Sequence, residues 1–481
     1  MTSRNVHEGC SSNVLKSHLP PVSTCVDVSQ LRDADSIHQD AGSPPPLDLE
    51  PPNSPPIFRL PIEILSHIFL LASEIPHLTY MDHDPLTNLP IILSHVNTHF
   101  RRTALTTLAL WSVIFPNPLQ SAQIQIEKSQ TYLMRSQSYP LDVVIKTKFT
   151  ASKPFLNNIL PHSHRFRHLT ITCSRCGPEC DDITIHRLTN SEAPLLEVFE
   201  STALFYKGRS RNPLKLFQGH APRLHTIRLH TPMLDLSHFT NLRCVELDSR
   251  PQGNDLQQMV EMMNLPNLTK VSIAFSPFRN ALLPSTDRPR SLASLSLRHL
   301  SLTIEPLSGG NTVSAVAFIL NSTTIGPSLH TLELDTRYGS VSQYTPSIVI
   351  QALGNSQHSL EGIERCCLTT SANLDLNIPG VLHRMSSLKH LILGGDSPTE
   401  CFKILGSSLP QLNRISILVW GFEIPQDMVE MLRSRKGRVG LAGVDVLEGS
   451  FVWEEGMMEI KSLVKVVKGA PRKASRYWFI D

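Results

Sequence analysis

One short pattern recurs along most of this chain and restricts its fold more than any other feature: Leu, two residues, an apolar residue, one residue, then Leu or Ile. It reads Phe166-Leu169-Ile171, Leu224-Ile227-Leu229, Leu242-Val245-Leu247 and Leu268-Val271-Ile273. It returns as Leu297-Leu300-Leu302, Leu329-Leu332-Leu334, Leu388-Leu391-Leu393 and Leu412-Ile415-Ile417, with Leu195-Val198 and Leu360-Ile363 as degenerate members. A period of two sends alternate apolar side chains to one side of a short strand and the residues between them to the other. Such a rung cannot cover its own apolar face, so neighbours have to stack. From 169 to 415, nine steps of 18 to 32 residues average about 27.

Helical spacing appears between rungs. Leu256, Met259, Val260 and Met263 lie at i, i+3, i+4 and i+7, and so do Val313, Val316, Ala317 and Leu320. Ser397-Pro398-Thr399-Glu400 has the make-up of a helix start, and Pro425 with Asp427 introduces Met428 to Arg433. Strands alternating with helices predict an α/β chain. Pattern and period resemble irregular leucine-rich repeats. That resemblance implies a curved solenoid over 161–440, with a parallel sheet on its concave side and a C-terminal cap over 441–481. Val452, Trp453, Leu463, Val464, Val466 and Val467 are the residues expected to seal the last rung. Outward strand positions are the candidate binding surface: His225, Thr226 and Arg228, then Arg243, Cys244 and Glu246, then His330, Thr331 and Glu333. Taken singly, each reads first as an ordinary solvated strand residue.

Upstream, 57–117 predicts three short helices. Pro61 suits a first helical turn, where its missing N–H is no loss, and Glu63 suits that positive end. On a helical wheel from 62 to 73, Ile62, Ile64, Leu65, Ile68, Phe69, Leu71 and Ala72 fill about half the circumference. A surface helix needs only a ~100° apolar stripe, so this one is expected to pack on its own bundle and on something else. Residues 74–89 read as a loop. Pro90 restarts a helix with Ile92, Leu93, Val96 and Phe100 at helical spacing, and Ala104, Leu105, Leu108 and Trp111 continue a third before Pro116 and Pro118. A helix–strand linker is expected over 118–160.

The ordered set Leu60-Pro61-Ile62-Glu63-Ile64-Leu65 with Ile68-Phe69, Leu93-Ser94-His95-Val96-Asn97 with Phe100-Arg101, and Leu110-Trp111-Ser112-Val113-Ile114 resembles an F-box, in the style expanded in mushroom-forming fungi. The stretch from Tyr132 to Asp142 also resembles the segment that follows the box in those proteins. Two features depart from the pattern: a long loop between the first two helices, and Asn97 where the family often has Cys. The resemblance implies an SCF-type subunit. The box would dock the Skp adaptor, which joins it to a cullin and a RING subunit, while the repeats hold a protein substrate. Leu60, Pro61, Ile64, Leu65, Ile68, Val96 and Trp111 match the motif at the implied docking positions, with the box's own core as their competing role. The alternative keeps the repeats as a scaffold without a ubiquitin link.

The chain's 44 Lys and Arg against 42 Asp and Glu, a net charge of +2, argue against a strongly basic nucleic-acid binder. No apolar run approaches the ~18 residues of a membrane span, and no signal peptide is visible, so a cytoplasmic or nuclear protein is expected. Residues 1–56 carry nine prolines, no aromatic residue and an excess of acid, and read as a flexible Pro-rich leader. Nine cysteines argue for reduced thiols. Cys173, Cys176 and Cys180, with His168 or His186, are the best set for zinc, but a second Cys-x-x-Cys pair is lacking and a plain loop is the preferred reading. Cys366-Cys367 reads as two small buried hydrophobes. No phosphate-cradling loop, H-E-x-x-H or G-x-S-x-G occurs, so no enzyme activity, metal or cofactor is expected. The basic cluster Arg433, Arg435, Lys436 and Arg438 reads as a solvated helix end.

Overall fold

The computed structural model describes residues 55–73, 88–116, 120–146, 152–172, 187–188, 190–202, 215–230, 235–249, 254–275, 292–294, 296–304, 310–336, 345–354, 358–370, 378–394, 405, 409–418, 426–435, 443–446 and 466–468. Outside them lie all of the leader except Pro55 and Pro56, the Cys173–Cys180 stretch with His186, the loop from 74 to 87, the 397–400 helix start, Lys436 and Arg438, and most of the expected cap. Every described residue belongs to one compact unit, Asn53–Asp481.

That unit is mixed α/β. After one turn of 3-10 helix, Pro56–Arg59, come helices α1 (Ile62–Ser73), α2 (Leu89–Ser94) and α3 (Thr98–Thr106), then a 3-10 turn Leu108–Trp111. The expected continuous helix from Pro90 to Phe100 is broken. Asn97 is extended and its side-chain oxygen accepts the Phe100 N–H at 2.7 Å, so it caps α3 and ends the run from α2. Phe100 then seats against Phe58 and Phe69, with ring centroids 5.4 and 5.1 Å apart. Ser66 and Thr107 share a 2.9 Å hydrogen bond that ties α1 to the end of α3.

Among the described residues, fourteen strands then form one wholly parallel sheet in chain order. They are β1 (Val113–Ile114), β2 (Leu141–Lys146), β3 (Phe166–Thr172), β4 (Val198–Ser201), β5 (Thr226–Leu229), β6 (Cys244–Ser249), β7 (Lys270–Phe275), β9 (His299–Ile304), β11 (Thr331–Thr336), β12 (Arg365–Thr370), β13 (His390–Gly394), β14 (Arg414–Leu418), β15 (Gly443–Val446) and β16 (Val466–Lys468). The short strands β8 (Leu292–Ser294) and β10 (Thr323–Ile325) pair separately. Parallel neighbours need a crossover. Helices supply several of these, among them α4 (Ala122–Ser136), α5 (Ser152–Ile159), Asn254–Met263, Gly310–Ser322, Thr345–Leu353 and Gln426–Arg435.

Register assigns one residue of each strand to a single row: Ile114, Val143, Leu169, Phe199, Ile227, Val245, Val271, Leu300, Leu332, Cys366, Leu391, Ile415, Val444 and Val466. Thirteen steps separate the ends of this row, averaging about 27 residues. Two expected rungs need correction. Phe199, not Val198, is the inward residue of β4, and Leu196 is its leading apolar partner; both are buried. Cys366, not Ile363, occupies the row in β12, and Ile363 leads it. The sheet also begins before 161 and passes 440, so the expected linker carries β2 and the expected cap carries β15 and β16.

Inward side chains of the row and of the position two residues on are buried from β2 through β9, as in the alternating pattern of β7. Each fully buried aliphatic side chain contributes about 1.5–3 kcal/mol, so stacked rungs supply the bulk of the stabilising area. Leu256, Met259, Val260 and Met263 are buried as expected, and so are Val316, Ala317 and Leu320. Gly362 sits where two turns approach: a Cβ there would lie 2.1 Å from the Pro327 carbonyl oxygen. Among the described residues, no helix is long and apolar enough to cross a membrane.

Candidate functional site

Two surfaces stand out, one on the helices and one on the sheet. On α1 the apolar half-circumference divides. Leu65 and Phe69 turn inward and are buried, whereas Ile64, Ile68 and Leu71 keep 50%, 39% and 52% of their surface exposed. Pro61 is exposed and Leu60 half-buried at the helix start. At 100° per residue, positions 61, 64, 68 and 71 fall within an arc of about 80°. They form one stripe along the helix. Ile57 ahead of it, Ile92 within α2 and Val96 in the α2–α3 link are exposed as well. The His99 ring nitrogen lies 3.1 Å from the Leu60 carbonyl oxygen, which fixes α3 against the start of α1.

Of the seven motif positions, five therefore lie at the surface or partly so: Leu60, Pro61, Ile64, Ile68 and Val96. Leu65 and Trp111 do not. Leu65 is fully buried because it lies on the bundle side of α1 with Phe69. Trp111 is fully buried because its indole N–H donates to the Ala104 carbonyl at 2.8 Å and its ring packs edge-on to Tyr132 at 5.2 Å. The Arg135 guanidinium lies 4.4 Å from the same ring, a cation–π contact that pins α4 to the N-terminal helices. Both residues hold the helices together and have no surface to offer. Ile57, Leu71 and Ile92 were missed as surface positions. Their spacing from Pro61 and Ile64 carried the signal, but a wheel alone does not say which arc faces inward.

The sheet's other face is mainly polar, with Val144, Cys367 and Ile392 as buried apolar exceptions. From β2 to β7 its charges neutralise one another across the strands. Arg167 holds both carboxylate oxygens of Asp142, at 3.0 and 2.5 Å. His168 lies 3.7 Å from Glu200, Glu200 pairs with Arg228, Arg228 lies 2.9 Å from Glu246, and Glu246 lies 2.8 Å from Lys270. His230 and Asp248 add a 3.1 Å contact. Burial alone would raise the Glu200 carboxyl, but His168 and Arg228 outweigh it and hold it below the usual carboxylate range. Burial opposes the Arg228 charge, which Glu246 and Glu200 restore. The expected outward residues Arg228 and Glu246 are thus spent on each other and on their neighbours.

Further along, the ion pairs thin out to Lys389 with Glu364, 2.8 Å apart. Glu333 is buried on β11 and burial pushes its carboxyl up to about 7, against the pull of Ser301, Arg365 and Lys270. His225, Thr226, Cys244 and Thr331 are half-exposed, and Arg243 and His330 exposed, as outward positions should be. Burial, then Glu246, raises the Cys244 thiol to about 11, away from reactivity.

The remaining chemistry is structural. Cys366 and Cys367 are buried, and burial raises the Cys366 thiol far above its ordinary value, so both serve as small hydrophobes. Arg435 belongs to no basic patch: it is buried and donates to the carbonyls of Leu405, Leu409 and Leu412 at 2.6, 2.9 and 3.2 Å. Among the described residues, no group of three His, Cys, Asp or Glu side chains is arranged to hold a metal ion. Lys128 on α4 is buried beside Tyr132, reaches Asn88 Oδ1 at 2.9 Å, and is lowered by burial to about 8. The cavity it lines, about 230 Å³ including open solvent, is walled by Ile114, Phe115, Tyr132 and Phe155. No protein-family model matches the chain, and no curated protein matches it.

Proposed function

We propose that this chain is the substrate-recognition subunit of an SCF-type cullin–RING ubiquitin ligase, with an F-box that docks the Skp adaptor and leucine-rich repeats that hold a protein substrate. The observation that carries the reading is the uncovered stripe on α1. Pro61, Ile64, Ile68 and Leu71 line one arc of a helix whose opposite arc already fills the bundle core. Scattered exposed apolar residues are normal, but a contiguous row of them marks a surface that another protein covers. The row sits at the positions where the sequence resembles the box. In this reading the chain transfers nothing itself; it joins a substrate to subunits that carry the chemistry.

The ladder of strands supports the second half of the reading. It presents a long polar face of outward residues from successive strands, the kind of surface that binds by dispersed contacts. The test is adaptor capture by Leu60→Ala combined with Pro61→Ala. Neither side chain is buried, so the circular-dichroism spectrum is expected to stay as it is while pull-down of the adaptor is lost. Normal capture by the double variant would refute this docking edge. Co-purification with neither adaptor nor cullin would leave the chain as a repeat scaffold without a ubiquitin link.

A further inference from the structure

At the N-terminal ends of its strands the second half of the polar face carries an excess of basic residues, where the first half is balanced by Arg167 and Arg243 against Asp142 and Glu197. In register across β7, β9, β11, β12, β13 and β14, the residue before the inward row reads Lys270, His299, Thr331, Arg365, His390 and Arg414. One position earlier, Thr269, Arg298, His330, Glu364, Lys389 and Asn413 follow one another through backbone hydrogen bonds, each N–H donating to the preceding carbonyl at 2.8–3.0 Å. These twelve adjacent positions hold five Lys or Arg, three His and one carboxylate, Glu364. Arg298, His299, His330, Lys389 and Arg414 are exposed. After burial, the largest influences on His299 are Lys270, His330, Arg298 and Arg365, all of which hold its pKa down, an independent sign that cations crowd this edge.

We propose that this stripe, at the N-terminal ends of strands β7 to β14, is where the repeats take an acidic peptide segment of a protein substrate. The inference rests on reading the sheet as the substrate-holding part of the chain. Six strands about 4.8 Å apart span about 24 Å, the reach of about seven extended residues. A run of Asp and Glu laid across the strands would meet Arg298, Arg365 and Arg414, with Lys270 and Lys389 shared between the peptide and their own partners Glu246 and Glu364, each 2.8 Å away. A nucleic acid fits less well. The two rows contain no Phe, Tyr or Trp on which bases could stack. The chain's net charge of only +2 means that the attraction is local to the stripe.

The experiment is fluorescence anisotropy of a fluorescein-labelled peptide of eight glutamates, titrated with the purified full-length chain at low salt. Binding is expected to weaken at least tenfold in Arg298→Glu combined with Arg414→Glu, and about threefold in the milder Arg298→Ala. The charge-matched pair Arg102→Glu with Arg223→Glu, exposed positions away from the stripe, is expected to stay within twofold. Equal peptide binding by the stripe variant would overturn the proposal, and so would tighter binding of a ten-nucleotide oligouridylate than of the peptide. Because no adaptor is present in this titration, its failure leaves the docking reading standing, and loss of adaptor capture leaves this one standing.

Discussion

The helical segment and the strand ladder bury their apolar side chains to different degrees. Along β9, Leu300, Leu302 and Ile304 are covered, and the strands on either side repeat the arrangement in register. Along α1, Leu65 and Phe69 are covered while Ile64, Ile68 and Leu71 are not. A stacked rung is sealed by the next copy of itself. A helix with apolar residues over half its circumference is sealed only where the bundle touches it. The lesson is that an apolar surplus survives at the surface where the chain has no further copy to cover it.

The largest effect that could break this comparison comes from the covered side in either region. Trp111→Ala and Phe199→Ala are each expected to cost about 3–5 kcal/mol in urea unfolding, because both remove large, fully buried rings. A loss under about 1 kcal/mol at either site would mean that the packing described here is wrong.

Next in size is a pH effect confined to the ladder. Glu333 titrates near 7 in the fold against an ordinary value of 4.5, so the folded state holds its proton more tightly than the unfolded chain. Stability is therefore expected to fall as pH rises from about 4.5 to about 7 and then to level off. Replacing Glu333 with Gln should remove up to about 3 kcal/mol of this loss at pH 8 and change little at pH 4. Melting curves across pH check the sign; a variant that gains nothing at pH 8 would show that the carboxylate is paired in the fold.

Gly362→Ala sharpens the stacking argument. A methyl group 2.1 Å from the Pro327 oxygen forces neighbouring turns apart, with an expected cost of about 1–3 kcal/mol. Denaturant midpoints would measure it, and an unchanged midpoint would mean that the turns have room to spare. The smallest effect is on the uncovered stripe: Ile64→Asp with Ile68→Asp should shift unfolding by no more than about 1 kcal/mol, since both side chains are only partly covered. A large destabilisation there would place these side chains inside the bundle.

Much of the ladder was legible because period two is a local signal. It failed where the rung residue was unusual. The Leu195-Leu196 doublet hid Phe199 by one position, and a cysteine at 366 shifted the reading to Ile363. β1 has only two residues and no leading Leu, so nothing in the sequence marked it as a strand. The break at Asn97 was missed because apolar spacing runs straight through it, while the cap that stops the helix is a single hydrogen bond. The surplus on α1 was readable as a wide wheel. Which arc faces inward depends on Phe100 and Phe58, far along the chain or outside the helix, so Leu65 and Ile64 were indistinguishable beforehand. The ion pairs of the sheet join residues 18 to 32 positions apart and exist only once register is known.

The most direct test of the central claim is hydrogen–deuterium exchange of the full chain with and without purified Skp adaptor. Covering of the uncovered stripe predicts slowed exchange in peptides spanning 57–73 and 89–97, with the strands from β3 onward unchanged. Protection on the strands with none at 57–73, or no protection anywhere at saturating adaptor, would contradict it.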